Sequence, residues 1–312
     1  MKKIKVMHFI TGLEVGGAEM MLLKTLPRFS KKFENFVCSA GGGKIADELR
    51  KKNIRVYCFE LTKWRIISAI KEFGQIIKKE KPDLLVTYLI HADLFGRFFG
   101  RIFGIKKIIC SKRTTALRRK FAMFLDRLSY FLIAKYICVS QNTADELINF
   151  WKFPKGKVIV VPNAVELDRF VVQIDKNKKR QELGLKKDDL VITFTANLKN
   201  GKGHDYLLRS FAKIYKKFPK LKLVLIGKDQ GIEGELKQLA KDLKIKNQVL
   251  FLGFREDVID ILKISDVFVF PSLFEGMSNA LLEGAAAHLA VVASDIDPNK
   301  EIITHNKTGL LF

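Results

Sequence analysis

Short apolar, β-branched runs alternate along this chain with stretches whose apolar residues recur at helical spacing. Residues 4–10, 36–40, 55–59, 83–88, 107–111, 136–140 and 157–161 read as strands, and helical patterns fit between most of them. A second series begins at residue 190, with further strands at 222–227, 248–253, 266–270 and 289–294. Such alternation predicts largely parallel sheets covered on both faces. The fold class is therefore α/β: two doubly wound Rossmann-like domains in series, facing a cleft. The boundary is placed at 172/173, because the charged segment 175–182 lacks a core pattern and reads as a link.

Composition narrows this picture. With 312 residues, 48% of them apolar and only 7 prolines, the chain is long enough for two packed domains and is not disordered. Its formal net charge of +23 admits three readings: nucleic acid, an anionic membrane surface, or a lysine-rich bias without a partner. The lysines are spread throughout and no nucleic-acid motif accompanies them, so nucleic acid ranks last. Cys38, Cys58, Cys110 and Cys138 lack metal or redox spacing and read as reduced core thiols of a cytoplasmic protein. The opening segment faintly resembles a signal peptide, but Lys5, His8 and Glu14 interrupt it; no apolar run reaches membrane-spanning length.

The candidate chemistry lies where strands end. Residues 266–270 form a short aromatic strand that runs into Pro271, a loop through Glu275-Gly276-Met277-Ser278-Asn279, and a helix capped by Ser278 or Asn279. A strand leading through a tight loop into a helix N-terminus makes an anion site from backbone N–H groups and the helix dipole. Glu275 and Glu283 flank it, and carboxylates beside a phosphate suit hydroxyl groups, so a nucleotide sugar is the ligand expected. After the first strand, a loop carrying Gly16 and Gly17 lets a phosphate or sugar approach the backbone, or is a plain turn. After strand 190–195, Lys199 and Lys202 flank a glycine turn and can neutralise a diphosphate. His91 follows another strand at the carboxyl edge, where such sheets bind ligands. Two stretches stand apart. In residues 94–103, Arg97 and Arg101 share one face opposite a phenylalanine stripe. In residues 117–132, Phe121, Phe124, Leu125, Leu128, Phe131 and Leu132 repeat at helical spacing behind a basic cluster. Both read either as core-facing stripes with solvated charges or as a surface resting on anionic lipid.

Taken together, these residues resemble the retaining glycosyltransferases of family 4, the group 1 type, which have the GT-B fold. The resemblance is carried by Phe274-Glu-Gly-Met-Ser-Asn-Ala-Leu-Leu-Glu283, whose two glutamates are separated by seven residues. It is supported by Gly16-Gly-Ala-Glu19, Val161-Pro-Asn163, the loop 196–204, Gly253-Phe-Arg-Glu-Asp257 and Asn306-Lys-Thr-Gly-Leu-Leu311. It implies sugar transfer from a nucleoside-diphosphate donor, UDP-linked by family default, with retention at the anomeric carbon and without cofactor or metal. Lys199 and Lys202 match the pair on the diphosphate, and Glu283 the residue on the ribose. Glu275 matches the residue near the donor sugar, with backbone from Gly276 to Asn279 around it. His91 matches a histidine beside the reacting sugar, Gly16 and Gly17 a donor-side loop, and Phe254-Arg255 the base-side wall. The implied acceptor is a lipid-linked or cell-surface polysaccharide, as in lipopolysaccharide or capsule synthesis, and the implied location is the inner face of the cytoplasmic membrane. Relatives carry Gly and Pro where this chain has His288 and Ala290, and they continue through further C-terminal helices, so the resemblance implies an incomplete second domain. The competing readings are a shortened, inactive remnant that binds nucleotide and a charge-driven nucleic-acid binder. A nicotinamide dehydrogenase is disfavoured by the missing three-glycine fingerprint.

Overall fold

The structure, a computed structural model, describes residues 2–62, 64–113 and 120–312. Backbone contacts divide the chain into two units, Met1–Pro162 and Asn163–Phe312. Residues 163–172, which the sequence reading places with the first domain, go with the second. There Phe170 packs against the core, and the Lys263 amine donates to the carbonyls of Arg169 and Val172. The expected link is instead a helix, Lys176–Glu182, capped by the Asp175 side chain. Lys179 and Arg180 are partnered rather than solvated: Lys179 meets Asp257, and Arg180 donates to the Ile264 carbonyl, while Lys176 and Lys178 are exposed.

The first unit contains β1 (Ile4–Ile10), β2 (Phe33–Ser39), β3 (Arg55–Cys58), β4 (Leu84–Tyr88), β5 (Ile108–Lys112), β6 (Lys135–Cys138) and β7 (Val158–Val160). They form one parallel sheet in the order β3-β2-β1-β4-β5-β6-β7. Alternate β1 residues serve opposite faces. Met7 and Phe9 join a core with Phe73 and Phe95 from the helices Ile66–Glu80 and Ile90–Ile102, whereas Ile10 packs with Leu22, Ile45 and Leu49. Three cysteines lie in the core, but Cys58 is exposed because β3 is an edge strand.

The two unusual stretches depart from either simple reading. Arg97 is fully buried rather than solvated, and it ion-pairs with Asp126 at 2.5 Å. Lys112 bridges Asp93 at 2.6 Å and Asp126 at 2.5 Å, and the Tyr136 hydroxyl donates to Asp126. Buried charges survive when each is paired and hydrogen-bonded, and here two cations face two carboxylates. Asp126 is held well below the ordinary carboxylate range: burial pushes it up, but Lys112 and Arg97 together outweigh burial. This network turns the polar side of the helix Lys120–Leu128 inward, so Phe121, Phe124, Leu128 and the following Phe131 face outward, Phe121 at 75% and Phe131 at 65% exposure. The rest of the basic cluster, Leu117 to Arg119, lies outside the described residues.

The second unit contains β8 (Leu190–Thr195), β9 (Leu221–Ile226), β10 (Val249–Phe251), β11 (Val267–Phe270), β12 (Ala290–Ala293) and β13 (Leu310–Leu311). These form a second parallel sheet in the order β10-β9-β8-β11-β12-β13. Phe194, Phe268 and Phe270 pack with Leu207, Phe211 and Leu281 on one face; Val191, Val224 and Ile226 pack with Ile261 and Ile264 on the other. In each unit the strand order reverses beside the first strand, between β1 and β4 and between β8 and β11. Open α/β sheets hold their ligands at the carboxyl ends of such pairs.

Candidate active site

In the second unit two loops leave the adjacent strands β8 and β11. The first carries Lys199 and Lys202 into the helix His204–Tyr215; the second carries Glu275 to Ser278 into the helix Asn279–Ala286. Glycines let the loops touch. Gly203 has φ 79°, and a Cβ there would overlap the Pro271 carbonyl oxygen. Gly201 has φ 87° and lies against the Phe274 ring, while the Leu273 N–H donates to the Gly201 carbonyl at 3.0 Å. The contact brings Lys202 Nζ to 2.6 Å from Glu275 Oε1, with side chains only 18% and 12% exposed.

Lys199 belongs to the same cluster. Burial pushes its amine below the usual lysine range, the like charge of Lys202 adds to that, and Glu275 pulls it back up. His204 is buried at the base of the loop against the Phe194 ring, and burial lowers its imidazole to about 4, so it stays neutral. Across the second loop, the Ser278 hydroxyl caps the helix Asn279–Ala286 by accepting from the Leu281 N–H at 3.2 Å. Gly284 sets that helix close to β11, since a Cβ there would meet the Phe268 ring. Gly276 is buried, and Glu283 lies one turn into the helix. Two acceptors close to these loops, Asn279 Oδ1 and Thr195 Oγ1, are buried without a hydrogen-bond partner among the described residues. Such atoms in a native fold call for a functional or solvent partner.

Phe254 and Arg255 follow the edge strand β10. The Arg255 guanidinium binds Asp257 and Glu182, each within 2.8 Å, and so ties the helix Lys176–Glu182 to the loop. One residue that the sequence reading quotes without a role gains one here: Asn163 Nδ2 donates to the Met277 carbonyl at 3.1 Å. No local signal in the sequence points to that bond, because 114 positions separate its partners.

The first unit has its own cluster at the carboxyl ends of β1 and β4. His91 lies exposed in the first turn of the helix Ile90–Ile102, next to Leu89, whose φ of 70° is strained for a branched side chain. Gly16 caps the helix Gly17–Thr25, and Glu19 folds back against it so closely that a Cβ at 16 would overlap the carboxylate. This helix N-terminus therefore presents a carboxylate beside its N–H groups. Burial raises the Glu19 carboxyl, while nearby N–H groups and Arg113 pull it down.

Comparison with known proteins gives concordant matches. The family model described as "Glycosyl transferases group 1" matches residues 175–312, and the one described as "Glycosyltransferase Family 4" matches residues 15–169. The Escherichia coli UDP-Gal:alpha-D-GlcNAc-diphosphoundecaprenol alpha-1,3-galactosyltransferase is 26% identical over 99% of this chain and 84% of its own length. A Campylobacter jejuni relative is 27% identical over 97% of this chain and 84% of its own. It is the N-acetylgalactosamine-N,N'-diacetylbacillosaminyl-diphospho-undecaprenol 4-alpha-N-acetylgalactosaminyltransferase. Among solved structures, Anabaena Alr3699/HepE in complex with UDP-glucose aligns with a TM-score of 0.87 at 20% identity, covering 99% of this chain and 85% of that one.

Proposed function

This chain belongs to the group 1 glycosyltransferases of GT-B fold, and from that premise we propose that it transfers a sugar from a UDP-linked donor, with retention, to a lipid-linked glycan acceptor. The observation that carries the reading is the meeting of the lysine loop and the glutamate loop at the β8/β11 switch point, with Lys202 and Glu275 2.6 Å apart. Lys199 and Lys202 take the diphosphate and balance the charge that grows as the glycosidic bond breaks; one such fixed charge contributes about 10²–10³ in rate. No metal enters this mechanism. Glu283 accepts the ribose hydroxyls. Glu275, the backbone from Gly276 to Asn279, and the orphaned Asn279 Oδ1 receive hydroxyls of the donor sugar. His91, Gly16 and Gly17 are assigned to the reacting sugar, and Phe254 to the base. The anomeric C–O bond to phosphate breaks and the acceptor oxygen bonds to that carbon on the same face. The acceptor proton passes to the departing phosphate.

The acceptor class is supported by the E. coli and C. jejuni relatives, whose names specify diphosphoundecaprenol-linked sugars. No helix among the described residues is long and apolar enough to cross a membrane. The outward phenylalanines of the helix Lys120–Leu128, on a chain of net charge +23, fit a peripheral contact with anionic lipid at the cytoplasmic face. The test is transfer from a panel of UDP-sugars to a diphosphoundecaprenol-linked sugar, with the product's anomeric configuration read by proton NMR. Retention supports the reading and inversion overturns the mechanism. Salt-sensitive flotation with phosphatidylglycerol vesicles tests the membrane contact, which fails if the protein stays at the bottom of the gradient.

A further inference from the structure

We infer that Glu275 is a displaceable counter-ion: it holds Lys202 until a hydroxyl of the donor sugar takes its carboxylate, and only then is Lys202 released to the diphosphate. The inference rests on the site reading above and extends it to how the site tells loaded from spent nucleotide.

The geometry leaves little alternative to exchange. The two side chains are largely buried and in direct contact, and their loops are fixed to each other by the Leu273 to Gly201 bond, by Gly203 under the Pro271 carbonyl and by Gly201 under the Phe274 ring. The fixed loops hold Lys202 beside Glu275 in the free protein, so a ligand that draws the amine away leaves the carboxylate unpaired unless it offers both partners a substitute. A lysine is a single point charge and cannot serve both anions fully. A bare nucleoside diphosphate offers Lys202 a new anion but deprives Glu275 of its cation and adds negative charge beside it, which is repulsive. A nucleotide sugar brings hydroxyl donors as well, and these satisfy the carboxylate that Lys202 leaves. Lys199 remains as standing positive charge in either case. After transfer the sugar is gone, Glu275 recaptures Lys202, and the spent nucleotide is held less firmly. The pair thus makes product release a consequence of the chemistry.

Isothermal titration of the whole chain with UDP and with a panel of UDP-sugars tests this in four proteins: wild type, Glu275→Gln, Lys202→Ala and the double variant. The amide keeps the shape but not the charge, so Glu275→Gln is expected to bind UDP about tenfold more tightly, close to 1.4 kcal/mol. The gain should vanish when Lys202→Ala is combined with it. Thermal unfolding without nucleotide confirms that each variant is folded. If Glu275→Gln binds UDP no more tightly while Lys202→Ala binds it more weakly, the counter-ion role is overturned and the diphosphate site stands. If Lys202→Ala leaves the binding of every UDP-sugar unchanged, or wild type binds no UDP-sugar, the site assignment itself falls and the inference with it.

Discussion

Replacing Asp126 tests the argument that an ionic network turns a helix inside out. Asp126 is fully buried and accepts from Arg97, Lys112 and Tyr136. Removing its charge leaves two buried cations facing Asp93 alone, and breaking a buried pair in this way costs about 3–5 kcal/mol. For a unit of this size each kcal/mol lowers the midpoint by about 2–4 °C, so Asp126→Leu should fall by roughly 6–20 °C. Both tryptophans, Trp64 and Trp151, lie in the first unit, so urea unfolding followed by tryptophan fluorescence reports the affected unit. Charge balance supplies an internal control. Adding Arg97→Met to Asp126→Leu leaves Lys112 paired with Asp93, so the double variant should be more stable than Asp126→Leu alone. The pH dependence follows in sign. Because the folded Asp126 carboxyl is held low, its contribution is present above the unfolded value of about 3.9 and is lost as pH falls through the folded value. The acid limb should be shallower in Asp126→Leu. A loss below about 1 kcal/mol, with the double variant no better than the single, would refute the network.

Three further outcomes are expected. His288 follows the helix Asn279–Ala286 with φ 58°, a conformation glycine adopts freely, so His288→Gly should raise the stability of the second unit by about 1 kcal/mol in calorimetry. Gly203→Ala should do the reverse and also impair nucleotide binding, because a Cβ at φ 79° overlaps the Pro271 carbonyl and pushes the two loops apart; unchanged UDP affinity would separate loop contact from binding. Lys199 is held below the usual lysine range, so UDP affinity should weaken as pH rises through that lowered value. Glu275→Gln removes the neighbour that pulls the amine up and should move this alkaline limb to lower pH; movement the other way contradicts the assignment.

The fold was legible because parallel strands buried on both faces are nearly continuous apolar runs, and those of β1, β4, β8 and β11 end where glycine, histidine, lysine or glutamate begin. The loops of the second unit were legible for the same reason, and Ser278 caps its helix as its residue type suggests. Features that depend on distant partners were not. Phe121, Phe124 and Leu128 have core spacing yet face outward, because Asp126 is drawn in by Arg97 and Lys112 from other elements. The segment 175–182 looks like a solvated link because nothing local shows that Lys179 and Arg180 will meet Asp257 and Ile264. Likewise Lys202 and Glu275 are each visible as chemistry, but their contact depends on β8 and β11 being neighbours.

Hydrogen–deuterium exchange of the whole chain with and without UDP-sugars tests the central claim most directly. The account predicts slowed exchange in residues 196–203 and 271–283 with at least one UDP-sugar, reduced by Lys202→Ala. Saturable binding of a UDP-sugar with neither segment protected would contradict it.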